Sequence, residues 1–225
     1  MTGVLECVEI PPVVGEAQGA VIWLHGLGAS GHDFEPIAPL LELHDIRFVF
    51  PHAPEQPVTL NRGYVMPSWY DIRTLEAGPN RESEADVRET ALKIEALIAR
   101  EIERGLKPSD IILAGFSQGG AIALHVGLRY EETLKGIMAL STYMVMPDTL
   151  GTEALEANEN TPVLFCHGTQ DDVVQPERGQ HAYDLLESRY PGRDLKHRTF
   201  PMGHEVCPEE IGTIKAWLHE RFYGA

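Results

Sequence analysis

Ser117, Asp171 and His204 stand out in this chain because together they could carry covalent acyl chemistry. Ser117 lies in Gly115-Phe116-Ser117-Gln118-Gly119, a G-x-S-x-G pattern. At average Gly and Ser frequencies, chance supplies on the order of 0.1 such matches in a chain of this length. A serine hydroxyl is a weak nucleophile, so it needs a nearby base, and the base needs an orienting acid. His204, in Pro201-Met202-Gly203-His204, is the candidate base. Asp171 and Asp172 are the candidate acids, and only one can meet His204, because adjacent residues of an extended turn point different ways. The chemistry is acyl transfer to water: attack of the serine on a carbonyl, an acyl-enzyme, then its hydrolysis.

The surrounding elements must bring these side chains together. Asp110–Gly115 reads as a buried strand, and an Ala/Leu-rich helix follows Ser117. The sharp turn between them lifts the serine above the strand end in a strained backbone. Gly115 and Gly119 flank it because a Cβ there would crowd the turn. Val163–Cys166 is a second apolar strand, ending near Asp171, and Leu195–Thr199 a third, ending near His204. The separations, 171 − 117 = 54 and 204 − 171 = 33 residues, each leave room for about one strand–helix unit. All three candidates thus fall past the carboxyl ends of strands, where open α/β sheets place their sites. The order Ser, Asp, His is that of α/β-hydrolases. Ala20–Leu24 is a further apolar strand, followed by His25-Gly26-Leu27-Gly28. This loop is the expected place for a second oxyanion donor, which assigns that role to the backbone N–H groups of Leu27 and Gln118. His25 reads as a structural residue tying the loop to neighbouring backbone.

Val4–Ile10, Arg47–Phe50 and Gly136–Leu140 complete the expected strands. A helix is predicted over Glu84–Arg104, capped by Ser83 with Asp86 three positions on, and another over Glu209–Arg221. Strands alternating with helices predict one α/β domain spanning 1–225, with a central mostly parallel sheet, helices on both faces and no large lid domain. Residues 51–82, with Met66, Trp69, Tyr70 and Leu75, and residues 142–161, with Tyr143, Met144 and Met146, are less regular. Trp69, Tyr70, Met144 and Met146 are the candidate substrate-binding residues, since apolar side chains on loops near strand ends suit an acyl chain. The competing reading is that they cover the edge of the core.

At this point the chain resembles the bacterial carboxylesterases of the phospholipase/carboxylesterase group, relatives of the acyl-protein thioesterases. The matching stretches begin at Leu24, Pro51, Pro67, Ala114, Leu140, His167 and Pro201, and run from the first apolar strand to the last helix. The resemblance implies an α/β-hydrolase fold, Ser117 as nucleophile, His204 as base and, of the two carboxylates, Asp171 as acid. It implies a serine carboxylesterase for short- to medium-chain esters, with lysophospholipase or acyl-(protein) thioesterase as the alternative, and a possible homodimer. A non-catalytic binding module on this fold is the remote alternative. Ala29 departs from the pattern, because thioesterase relatives usually carry an acidic residue there.

The balance of 18 basic against 34 acidic residues gives a net charge of −16, which argues against nucleic acid and against docking on anionic lipid. Three cysteines, Cys7, Cys166 and Cys207, suggest a reducing compartment, and neither a signal peptide nor a stable membrane insertion is expected, so the cytoplasm is the expected location. The histidines show no zinc-site spacing, so no metal and no cofactor are expected. A neutral base is required, so activity should rise through about pH 6–7, where imidazoles lose their proton.

Overall fold

The computed structural model describes residues 4–74, 78 and 80–224. Its strands, in chain order, are β1 (Cys7–Ile10), β2 (Gly19–Leu24), β3 (Ile46–Pro51), β4 (Glu55–Val58), β5 (Tyr64–Pro67), β6 (Ile111–Phe116), β7 (Gly136–Leu140), β8 (Val163–Gly168) and β9 (Leu195–Phe200). The α-helices are α1 (Glu84–Glu103), α2 (Gln118–Gly127), the single turn α3 (Leu150–Glu153), α4 (Pro176–Arg189) and α5 (Pro208–Tyr223).

Seven strands form one sheet in the order β1-β3-β2-β6-β7-β8-β9. β1 runs antiparallel to β3 and every other neighbouring pair is parallel. The alternation along each strand explains the two-sided packing. Ala20, Ile22 and Leu24 of β2 join Ile111 and Leu113 of β6 in one core, under α1, α2 and α4. Val21 and Trp23 join Ile112 and Ala114 in the other, against Leu41 and the Ile214, Trp217 and Leu218 face of α5. Strands buried on both faces must be apolar throughout, which is why β2, β6, β7 and β8 read as continuous apolar runs. The chain belongs to the α/β-hydrolase fold. Among the described residues, no helix is long and apolar enough to cross a membrane.

Two details differ from the sequence expectation. The first strand pairs only from Cys7, not from Val4. Residues 51–82 contain an antiparallel hairpin, β4–β5, with Glu55 opposite Pro67 and left-handed backbone at Arg62 and Gly63 in its turn. The helix over Glu84–Glu103 forms as expected, with the Ser83 hydroxyl accepting from the Asp86 N–H.

The order of strands places the site. β2 and β6 are neighbours, with Leu24 opposite Gly115, yet the chain leaves them toward opposite sides of the sheet. Their following loops diverge and open a crevice at this switch point, where such sheets bind ligands.

Candidate active site

Ser117 follows β6 and precedes α2, with φ 53 and ψ −121. A side chain in this region is strained, and the surroundings hold it there. Its N–H donates to Leu140 O at 2.9 Å, and its carbonyl accepts from Thr142 Oγ1 at 2.6 Å. The two motif glycines are close-approach positions. A Cβ on Gly115 would stand 2.3 Å from the Gly119 carbonyl, and one on Gly119 would stand 2.5 Å from the carbonyl oxygens of both Leu24 and His25. The helix therefore begins pressed against the loop after β2.

His204 lies past the end of β9. Its Nε2 accepts from Ser117 Oγ at 2.9 Å, and its Nδ1–H donates to Asp171 Oδ2 at 2.7 Å. The Phe116 ring packs against the imidazole at 4.7 Å between centroids. Asp171, past the end of β8, is buried, and its other oxygen accepts the N–H groups of Val173 and Val174 at 3.0 and 2.8 Å. These three donors, two on one oxygen and one on the other, hold the carboxylate in one orientation. Asp172 is exposed.

His25 is buried, and burial pushes its pKa down to about 4, partly offset by its bond to Gly26 O. Its Nε2 accepts from the Ala53 N–H at 3.0 Å, so Nδ1 carries the proton that it donates to Gly26 O at 2.7 Å. Both nitrogens are occupied by backbone, as the structural reading of His25 expects. Next to it, Leu27 and the first N–H of α2, that of Gln118, have no acceptor among the described residues. The first N–H groups of a helix have none within the helix and carry its positive dipole end.

A cavity of about 260 Å³ meets Ser117 and His204. Its wall is mostly apolar: Leu27, Leu60, Ile72, Phe116, Val173 and Val174, with Ala29 and Tyr143 also present. Asp33 and Arg81 are its charged members; burial raises the Asp33 pKa above the usual carboxylate value.

Against this geometry the chain can be compared with known proteins. The family model for phospholipase/carboxylesterase matches residues 5–221. The chain belongs to the phospholipase/carboxylesterase family. It is 37% identical over 216 residues to acyl-protein thioesterase 1 of Cryptococcus neoformans, covering 89% of this chain and 91% of that protein. The crystal structure of SOBER1 from Arabidopsis thaliana superposes with a TM-score of 0.83 at 34% identity, over 91% of this chain and 99% of that one. Esterase PE8 gives 0.83 at 33% identity, over 96% and 98%. This family member is therefore a hydrolase of ester or thioester bonds. The fungal and plant relatives give no support to the bacterial side of the resemblance.

Of the residues expected at the site of this phospholipase/carboxylesterase, the structure brings together Ser117, Asp171, His204 and the backbone of Leu27 and Gln118. The four expected substrate contacts are placed elsewhere. Trp69 and Tyr70 are 0% exposed and absent from the cavity wall. Trp69 spends its indole N–H on His25 O, and the Tyr70 hydroxyl pairs with that of Tyr143 at 2.7 Å. Met144 opens on a neighbouring cavity shared with Arg81, Tyr143 and His181. Met146 packs against the core, with a left-handed backbone that turns the chain away. Leu75 lies outside the described residues. The wall instead comes from Leu60 on the hairpin turn, from Phe116, next to Ser117, and from Val173 and Val174, two and three positions past Asp171. Adjacency alone did not mark them, since Asp172, next to Asp171, is exposed and off the wall; the readable signal was an apolar side chain within three positions of Ser117 or Asp171.

Proposed function

We propose that this family member cleaves acyl thioesters and esters by covalent catalysis at Ser117. The observation that carries the reading is the unbroken relay from Ser117 Oγ through His204 to Asp171, at 2.9 and 2.7 Å, on the wall of an apolar cavity. His204 Nε2 takes the hydroxyl proton as Ser117 Oγ attacks the acyl carbonyl carbon. The oxyanion forms between the Leu27 and Gln118 N–H groups, each such donor contributing about 3–4 kcal/mol in comparable sites. His204 then gives its proton to the departing thiol or alcohol. Water, deprotonated by the same nitrogen, attacks the acyl-enzyme, and the acid leaves as Ser117 regains its proton. Asp171 keeps Nδ1 protonated and offsets the imidazolium charge.

The thioester reading comes first because 37%-identical relatives carry the name acyl-protein thioesterase 1. A second reading, a carboxylesterase for small esters, is favoured by the small volume of the cavity and by Ala29 in its wall. Pocket volumes for drug-sized ligands start near 300 Å³. The free cysteines Cys7, Cys166 and Cys207 support the cytoplasm as its location.

The test compares S-acylated peptides with p-nitrophenyl esters from acetate to palmitate, on wild type and Ser117→Ala. Turnover by wild type and a loss of about 10⁴-fold or more in the variant are expected. Undiminished turnover by Ser117→Ala would remove Ser117 as nucleophile. A higher kcat/KM on thioester than on ester of equal chain length selects the first reading, and the reverse selects the second.

A further inference from the structure

The side chain of Gln118 takes no part in the acyl chemistry, yet it is almost fully buried next to the nucleophile. Its amide is read completely by one segment of chain, Ser68-Trp69-Tyr70. Gln118 Oε1 accepts the Trp69 N–H at 2.8 Å. Gln118 Nε2 donates to Tyr70 O at 2.7 Å and to Ser68 Oγ at 3.1 Å, while Ser68 Oγ donates to Tyr70 O at 2.7 Å. The same segment, with Pro67 before it, holds the loop after β2 at both ends. Pro67 O accepts the Gly28 N–H at 2.8 Å, and the Trp69 indole N–H donates to His25 O at 2.8 Å. Leu27 sits between those two anchors.

We propose that Ser68-Trp69-Tyr70 is a template that sets the spacing of the oxyanion donors, with the Gln118 and Trp69 side chains as positioning residues. The two donors belong to separate loops, one after β2 and one after β6. Nothing in the sheet register alone fixes their separation once the loops diverge. The template touches both: one arm ends on the carboxamide of the residue that supplies one donor, the other brackets the residue that supplies the second. The carboxamide suits this place because it offers one acceptor and one two-proton donor at the same reach. A carboxylate would face Tyr70 O with no proton, and a methionine would leave the Trp69 N–H and Tyr70 O unpaired. Ser68, Trp69, Tyr70, Gln118 and His25 are all buried, so the bonds among them are not exchanged for water; only the Gly28–Pro67 anchor lies nearer the surface. An offset of about 1 Å in such a site is enough for a loss of about 10²-fold.

The inference rests on Ser117 being the nucleophile, which the Ser117→Ala comparison tests separately. The experiment here uses Trp69→Phe, which keeps a ring and deletes the indole N–H, and Gln118→Met, with Thr90→Val as comparator. Thr90 Oγ1 donates to Trp69 O at 2.5 Å, so its loss disturbs the segment from the α1 side and touches neither donor. The readouts are kcat and KM on a p-nitrophenyl ester, the Ki of a trifluoromethyl ketone whose hemiketal oxygen occupies the oxyanion site, and the thermal midpoint. Trp69→Phe and Gln118→Met are expected to lower kcat about ten- to hundredfold with KM within about threefold, and to weaken the ketone by a similar factor. Thr90→Val is expected to lower the midpoint and keep kcat within about twofold. If Gln118→Met does not fold, Trp69→Phe decides alone. Midpoints lowered in Trp69→Phe with kcat and ketone affinity unchanged would overturn the proposal, since a purely structural role predicts that pattern.

Discussion

Around Ser117, the side chains of Ser68, Trp69, Gln118 and His25 and the backbone of four segments form one buried hydrogen-bonded network. Around His204 the holding is sparse. Asp171 and Ser117 supply one bond each and Phe116 one ring contact, and the side chain is 16% exposed. Three residues on, Cys207 caps the start of α5, whose first turn carries Glu210. Glu210 is 0% exposed and no cationic side chain among the described residues pairs with it; burial raises its pKa to about 8, against a smaller lowering by the backbone N–H of Cys207. The difference follows from what each half must do. Donors that stabilise a developing charge act best when already fixed, with nothing left to reorganise. A base that receives a proton from one oxygen and returns it to another needs only a fixed ring face and a partner for its far nitrogen. On the mechanism proposed above, rigidity is concentrated where charge would develop, and a buried acid without a cationic partner is tolerated on the other side.

The comparison breaks first if the sparse half is not carried by Asp171. Asp171→Asn is expected to lower kcat about 10⁴-fold with the fold kept, read by steady-state kinetics and circular dichroism. A drop below about tenfold would mean that His204 is oriented by something else. On the dense half, Gly119→Ala drives a Cβ to 2.5 Å from two backbone oxygens that cannot swing away. A loss of about 3 kcal/mol or more, or failure to fold, is expected in denaturant titration; a near-neutral result would show this half to be softer than described.

Glu210 sharpens the contrast through pH. Its folded pKa, about 8, lies above the ordinary carboxylate value of 4.5. Between those limits the folded chain keeps a proton that the unfolded chain releases. Stability from this group is therefore complete below about pH 4.5 and lost as pH rises toward 8. Thermal midpoints of wild type should fall between about pH 6.5 and 8, where Glu210 is not opposed by His25, and Glu210→Gln should flatten that slope. His25 acts in the opposite direction. Its folded pKa is depressed to about 4, so its contribution is present above about pH 6.5 and lost as pH falls toward 4. A parallel slope in Glu210→Gln and wild type would remove Glu210 from the account. The smallest effect is expected of Asp172→Asn, exposed beside Asp171: kcat within about twofold. A larger change would reopen the choice between the two carboxylates.

Much of this was legible in the residues. Strands buried on both faces announce themselves as apolar runs, and Ser117 sits in a pattern that means little unless a strand precedes and a helix follows. Asp171 and His204 were singled out because each follows the end of a strand, and the structure brings both into line with Ser117. What failed was the reading of residues 51–82. Pro57, Gly63 and the polar Glu55-Gln56 hide a hairpin, and an aromatic pair beside prolines looks like an exposed wall. Trp69 and Tyr70 are buried because Gln118, some fifty positions away, satisfies their backbone, and no local pattern reports that partnership. Met144 and Met146 were drawn to the site by following Ser141 out of β7. The left-handed turns at Ser141 and Met146 redirect the chain, leaving Tyr143 alone on the cavity wall.

The strained backbone of Ser117 has a consequence for the order of events during synthesis. The motif is complete once Gly119 has been added. The conformation that presents the hydroxyl also leans on Leu140 O and Thr142 Oγ1, more than twenty residues later. Asp171 and His204 come later still. On the proposed mechanism, a nascent chain thus holds the sequence of a nucleophile well before it holds the nucleophile's setting, which is complete only when the last quarter of the molecule has docked.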